Sequence, residues 1–499
     1  MKYNNPVIKG FYPDPSVCKV GDMFYLVCSS MHYFPGVPLF ESKDLVNWKQ
    51  IGHCLTRKSQ IELDKVDSSG GVFAPTIRFH EGRFYMTTTN ATLQKNFYVW
   101  TDNIYGEWSE PIFVDQDGID PSFYFENDKA YFMSNGTDED GINGIVQCEI
   151  NILTGEKLSK SRCIWQGTGG RYLESPHLYC INDEYYLMAA EGGTEYGHMV
   201  TYARSKSVYG EFTPYSNNPV LTNRNLGGYE VQGVGHGDLI EDNNGNWWIL
   251  HLGFRQIHRW LTFHHLGREV FLTPVKFDEN GWFTAGDNGT TTKSFILDDI
   301  STEVEQKEVK NYTFDNTSWD KEWCHIRLPH DENYKFEQNK LLLRGTEITL
   351  DHVDSPTFLG IRQMEFKAEI TCDVQLTEGE AGITLFMDEN HHYDLAIRTS
   401  ENGYEVIERL NIGDIKSVEK SFDLKSQNKV TLIIKAENEK YGFYVQIEGE
   451  SVYLGSAQTR YLSTEVATGF TGVIIGLYAT GTGTQEFAEF TKFNCEYFS

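Results

Sequence analysis

Five segments of the chain share one pattern, a short polar turn followed by an aromatic strand. They are GDMFYLV from Gly21, EGRFYMT from Glu81, NDKAYFM from Asn127, NDEYYLM from Asn182 and NGNWWIL from Asn244. Each turn is rich in Gly, Asn or Asp, the chemistry of a tight hairpin. Ten residues before an aromatic of each unit lies the start of the preceding strand: Pro15 before Tyr25, Pro75 before Tyr85, Pro121 before Tyr131, Pro176 before Tyr186 and Asp238 before Trp248. The units thus open at PDPS, FAPT, IDPS, ESPH and HGDL. They recur roughly every 45–65 residues, the length of a four-stranded propeller blade. The expected fold is all-β, with a five-bladed β-propeller over residues 1–295.

That repeat accounts for an odd placement. Asp14 stands between two prolines at the mouth of an otherwise apolar strand, where a carboxylate is neither a good strand former nor cheap to bury. In a propeller the first strand of each blade lines the central channel, so residues at its start point into the funnel. Asp14, Asp120 and Glu174 are then neighbours despite their separation in sequence. Asp14 and Asp120 occupy one slot, just before the proline, and Glu174 lies one residue earlier. His236 is expected in the slot of Glu174. Taken alone, Asp14 reads as an ordinary turn residue before a strand.

Three acids in one cleft repel one another and suit metal binding or acid–base work. Glycoside hydrolysis needs one protonated carboxyl for the leaving oxygen and one ionised carboxylate to activate water or attack the sugar.

Bulk properties narrow the partners. With 71 Asp and Glu against 43 Lys and Arg, the formal charge is -28, which disfavours nucleic acid and anionic membranes. Aromatic residues make up 14% of the chain, suiting packed β structure or sugar-binding surfaces. No apolar run approaches a membrane span, and MKYNNPVIKG lacks the apolar region of a signal peptide. Nine scattered cysteines without a CxxC pair read as reduced residues of a cytoplasmic protein. Monomer and homo-oligomer are both left open.

The stretch NPVIKGFYPDPSVCKVGDMFYLV, with GGVFAPTIRFHEGRFY, DGIDPSFYF, ESPHLY, GVGHGDLIEDNNGNWWILHLG and LGREVFLTPVKFDENGW, resembles bacterial glycoside hydrolases of family forty-three. Those enzymes are β-xylosidases and α-L-arabinofuranosidases. The resemblance continues through DENHHYDLAIR and GFTGVIIGLYATGTG to the C-terminal sandwich of the xylosidase branch. It implies an inverting site with Asp14 as general base, Glu174 as general acid, and Asp120 raising the pKa of that acid and orienting it. It also implies that Phe34 of YFPG and Phe73 of GVFAPT line the sugar site and that Arg268 of LGREV contacts sugar hydroxyls. The alternatives are plain packing for the two phenylalanines and a surface ion pair for Arg268. His236 would touch sugar or hold a calcium ion or water near the axis; no cofactor is otherwise required. Many relatives have Gly where this chain has Ser175, beside the acid.

From about Thr302 the texture changes. A charged connection, residues 296–312, leads to short alternating strands such as KLLLRG, MEFKAEIT, AGITLFM, YEVIERL, KVTLIIKA and YGFYVQIEG. These predict a concanavalin-like β-sandwich over 313–499. By the resemblance, Phe470 of TGFTGV closes the sugar pocket, favouring release of terminal sugars over mid-chain cutting. HHYD at His391 has metal-ligand spacing but is expected to pack between sheets, and Trp108, Trp247 and Trp248 are expected in the core. The function expected is exo-acting hydrolysis of terminal β-1,4-D-xylosyl, and α-L-arabinofuranosyl, residues from xylo- or arabinoxylo-oligosaccharides. Rivals are a mainly arabinofuranosidase activity, a retaining mechanism, a sugar-binding propeller without catalysis, and a protein-interaction propeller.

Overall fold

The computed structural model describes residues 2–257, 260–296, 308–315, 320–481 and 486–498. Most of the expected connection, 297–307, lies outside the described residues. Strands dominate, and the α-helix among the described residues is the single turn Thr464–Ala467. No helix among the described residues is long and apolar enough to cross a membrane.

Five four-stranded antiparallel sheets occur where the five repeats stand, each with its strands in chain order. Their first strands are Ser16–Val20, Thr76–His80, Ser122–Glu126, Glu174–Ile181 and Val231–Glu241. The repeated aromatics take equivalent places in four hairpins, with Cys18 opposite Tyr25, Arg78 opposite Tyr85, Tyr124 opposite Tyr131 and Tyr179 opposite Tyr186. Turn chemistry sets this register. Glu81 and Gly82, Asn127 and Asp128, and Asn182 and Asp183 all have positive φ, as two-residue hairpin turns require. The fifth hairpin differs: Glu241 pairs with Trp247 across a longer connection, so Ile240 rather than Glu241 faces Trp248.

The first strands of successive sheets lie against one another, and that of the fifth returns to that of the first. Polar bonds join them along this line. Asp238 of the fifth sheet is fully buried and accepts bonds from the Arg78 guanidinium of the second at 2.8 and 3.2 Å. It also accepts from Ser16 Oγ at 2.7 Å and Val17 N at 3.0 Å in the first sheet, and from Tyr179 Oη in the fourth. Arg78 Nη2 lies 2.9 Å from Nδ1 of His177, which burial holds neutral with a pKa of about 3. The third sheet joins through Ser122 Oγ, which donates to the Pro176 carbonyl.

The rest of the chain forms a β-sandwich of a six-stranded and an eight-stranded sheet over one large apolar core. All six expected strand segments lie in it. Val309–Tyr312, at the end of the expected connection, already pairs with the last strand, Phe487–Phe498. The sandwich packs on the five sheets through a shared cluster, in which Phe11, Met31 and Tyr33 meet Ile326, Phe358 and Ile474.

Removing one partner of a buried ion pair leaves the other charge uncompensated. Arg78→Met should therefore destabilise the chain by about 3–5 kcal/mol, read as a fall in the urea midpoint. An unchanged midpoint would show that the axial pair is not a structural requirement.

Candidate active site

Near the start of the first strand in four of the five sheets, the backbone turns sharply. Asp14, Asp120, Ser175 and His236 have φ of 57, 55, 55 and 49°, the left-handed region. That region costs a non-glycine residue about 1–2 kcal/mol and is tolerated best by Asp and Asn. The turn brings Asp14, Asp120 and His236 to one pocket, which gives Asp14 its place before Pro15. It also corrects one expectation: His236 shares the conformation of Asp14 and Asp120, whereas in the fourth sheet Ser175 takes that slot and Glu174 precedes it. The hairpin shifts register between Glu174 and His177, and this bulge brings the acid forward. Ser175 adopts a backbone that glycine adopts freely. Its hydroxyl is buried without a hydrogen-bond partner, while its backbone N–H bonds Asp120.

Asp14, Asp120, Glu174, His236, Arg268, Phe73 and Phe470 all line one pocket of about 480 Å³. Arg268 Nη1 donates to Asp14 Oδ1 at 3.0 Å and to Thr194 Oγ1 at 2.9 Å, while its Nη2 is buried without a partner. Ser29 Oγ donates to the other oxygen of Asp14. Nδ1 of His236 lies 3.6 Å from Asp14 and 3.9 Å from Asp120. The rings of Phe73 and Phe470 meet edge to face at 6.1 Å, and the Arg268 guanidinium lies 5.4 Å from the Phe470 ring centre.

These surroundings set the three acids apart. Burial works to raise the Asp14 pKa, but Arg268, His236 and the Ser29 hydroxyl overcome it and bring Asp14 below its ordinary value. Burial raises Glu174 to about 7, reinforced by the charge of Asp14 and opposed by Arg268. Asp120 is raised by burial and then by the charges of Glu174 and Asp14. The site thus holds an ionised carboxylate beside a pair that retains a proton near neutrality. Burial also lowers the pKa of His236, so its ring is neutral there.

Phe34 is not brought to this pocket. The strand Tyr33–Phe34 pairs with His325–Ile326 of the sandwich, and Phe34 is buried in the core formed by the first two sheets, so Met31 lines the pocket instead. Sequence reading also missed Thr194, His198, Arg171, Tyr172 and Glu195, which come from irregular loops without a repeat to flag them. Thr471 and Thr464 come from the sandwich.

Phe470 is held from both sides. Its backbone N–H donates to Ser69 Oγ at 2.7 Å, and Ser69 N donates to His32 Nδ1 at 3.1 Å. Ser68 Oγ donates to Glu389 of the sandwich at 2.7 Å. Glu389 in turn pairs with fully buried Arg327, whose Nε donates to the Val66 carbonyl at 2.6 Å.

An axial calcium would need several oxygen ligands. Asp14 is already engaged by Arg268, and the Arg78 guanidinium occupies the axis between Asp238 and His177. No group of three or more His, Cys, Asp or Glu among the described residues is arranged to hold a metal. His391 and His392 bond Asp388, Asp351 and Asp394 within the sandwich. Trp108 and Trp248 are buried, while Trp247, partly buried, lines a groove at the hairpin-turn ends of the fourth and fifth sheets.

The profile of Glycosyl hydrolases family 43 matches residues 3–283. The chain belongs to this family. A second profile, Beta xylosidase C-terminal Concanavalin A-like domain, matches residues 311–496, placing the chain in the family branch that carries that sandwich. A non-reducing end alpha-L-arabinofuranosidase of Bacteroides ovatus is 39% identical, the match covering 96% of this chain and 92% of that protein. A xylosidase/arabinosidase of Butyrivibrio fibrisolvens is 36% identical over 99% of each chain. Among solved structures, a xylan beta-1,4-xylosidase from Bacillus halodurans superimposes with a TM-score of 0.92 at 29% identity, covering 99% of this chain and 100% of that one. The protein is a glycoside hydrolase.

The position of Phe470 generates a test. Phe470→Ala removes one wall of the pocket, so it should raise KM and lower kcat together on an aryl glycoside, through weaker orientation and water exclusion. A variant with altered Tm and unchanged kinetics would assign Phe470 to stability alone.

Proposed function

We propose that this protein is an exo-acting, inverting glycosidase that releases terminal non-reducing β-1,4-D-xylosyl and α-L-arabinofuranosyl residues from xylo- or arabinoxylo-oligosaccharides. One observation carries the reading: an ionised Asp14 and a Glu174 with a pKa of about 7 line a single pocket that the sandwich completes with Phe470. The five sheets are the blades of a β-propeller over residues 1–295, supported by first strands that neighbour one another in turn around the axis. The connection is taken as 296–312, whose last residues, Val309–Tyr312, already pair with the sandwich of 313–499.

Asp14 is the general base. Its anionic state is favoured by Arg268, and it activates the water that attacks the anomeric carbon. Glu174 is the general acid and protonates the leaving oxygen. Asp120 disfavours ionisation of Glu174 through mutual repulsion. Phe73 and Phe470 offer aromatic faces to the sugar, and the unpartnered Nη2 of Arg268 and the ring of His236 offer polar contacts. A pocket walled by a second unit takes a chain end and excludes a continuing chain. The two relatives named for arabinofuranoside or arabinoside cleavage support an alternative weighting, a mainly α-L-arabinofuranosidase activity. Initial rates on aryl β-xyloside and aryl α-L-arabinofuranoside, side by side, decide between them, and NMR of the first-formed anomer tests inversion. Nine free cysteines, seven of them buried, support a reducing, cytoplasmic setting.

Acid and base variants separate the roles. Asp14→Asn should lower kcat by about 10²–10⁴-fold on every substrate. Glu174→Gln should cost most on xylobiose and least on an activated aryl glycoside, whose leaving group needs no proton. Equal losses on both substrates would remove Glu174 from the role of acid.

The pH profile follows from the same groups. Glu174 must be protonated, so kcat/KM should fall as pH rises through about 7. Asp14 must be ionised, so activity should persist on the acid side until pH falls below 3.8, its ordinary value. Asp120→Asn removes a negative neighbour and should move the alkaline limb to lower pH. A limb that stays in place would refute the role given to Asp120.

A further inference from the structure

Tyr172 is an aromatic residue in an unusual setting. It lines the catalytic pocket, yet it is 62% exposed, which places it at the mouth. Its backbone is left-handed, with φ of 53°, costly for a bulky residue. The surrounding chain is nevertheless tightly fixed. Arg171 Nε donates to the Gly192 carbonyl at 3.0 Å, and Gly192 N donates to the Arg171 carbonyl at 2.7 Å. The fully buried Glu191 carboxylate accepts from Thr168 N at 2.9 Å, Gly170 N at 2.7 Å and Thr201 Oγ1 at 2.8 Å, clamping the approach to Tyr172. The Arg171 guanidinium lies 5.3 Å from the ring centre and pairs with Glu195. A Cβ at Gly193 would come within 3.1 Å of the ring, so the ring lies against that glycine. An exposed ring that rests on Gly193 beside Arg171, on a backbone fixed on either side, is a platform rather than a loose surface side chain.

We infer that Tyr172 forms the leaving-group subsite, stacking on the sugar next to the scissile bond on its reducing side. This rests on the function proposed above. The geometry of proton delivery gives the assignment. The terminal sugar must occupy the buried end, among Asp14, Asp120 and His236. The acid must face the oxygen that joins it to the next sugar, and that sugar must then lie outward of Glu174. Tyr172 stands two residues before Glu174 on the same segment and at the mouth, where that second ring has to pass. Aromatic rings offer apolar faces for sugar rings, and Arg171 and Glu195 beside it supply groups for hydroxyls.

The test compares leaving groups with and without a ring to stack. For Tyr172→Ala, kcat/KM is measured on xylobiose and on the glycosyl fluoride of the same terminal sugar. The ratio of the two should fall by about three- to tenfold relative to the wild type, the scale of one lost aromatic contact. Tyr172→Trp should restore it. A loss on xylobiose without one on an activated aryl glycoside, which has a ring to stack but needs no proton, would mean that Tyr172 acts by placing Glu174; equal losses on xylobiose and the fluoride would place its effect at the terminal sugar, and no loss would make it a surface residue; each overturns the subsite. A wild-type enzyme that cleaves neither substrate would overturn the proposed function instead, and the subsite with it.

Discussion

The pair formed by Arg78 and Asp238 ties together strands that begin far apart in the chain. Two buried charges repay their desolvation only when geometry and surrounding hydrogen bonds are good. Here the carboxylate collects five donors, from Arg78, Ser16, Val17 and Tyr179. Those donors come from the first, second and fourth sheets, and Asp238 comes from the fifth. Two of the pocket side chains stand two residues before this level, Asp14 before Ser16 and His236 before Asp238. Their mutual distances are therefore inherited from the ion pair beneath them.

Electrostatics at the pocket follow from the same economy of charge. One cation, Arg268, is bonded to one of the three acids, Asp14. The other two are left to burial and mutual repulsion, and that asymmetry divides the carboxyls into an ionised Asp14 and a pair, Asp120 and Glu174, that retains a proton. Burial lowers the pKa of His236 and His198, which leaves Arg268 as the leading positive influence on Asp14. A neutral sugar is a fitting guest for a protein with a net charge of -28.

The sandwich contributes more than mass. Arg327, fully buried and with a left-handed φ of 61°, joins Glu389 of the sandwich to the loop that ends at Ser69. Ser69 then fixes Phe470. On another side Glu465 accepts from the backbone N–H of His264, which lines the pocket, at 3.0 Å. The pocket is thus a joint product of both units, and its size is a property of their docking.

The sequence by itself determined the five sheets, the slots of Asp14, Asp120 and Glu174, and the sandwich strands. Those features are local, because alternation, turn residues and a fixed hairpin spacing act within some twenty residues. The resemblance to a known family added Phe73, Arg268 and Phe470. The tertiary structure alone pairs Arg78 with Asp238 and turns Phe34 into the core while Met31 meets the pocket. It also decided that His236 shares the conformation of Asp14, and it brought Thr194, His198 and Tyr172 to the site. None of these has a local signature. Which partner a buried arginine finds, and which way a loop aromatic faces, is settled by chain segments tens to hundreds of residues away competing for the same space and the same hydrogen bonds.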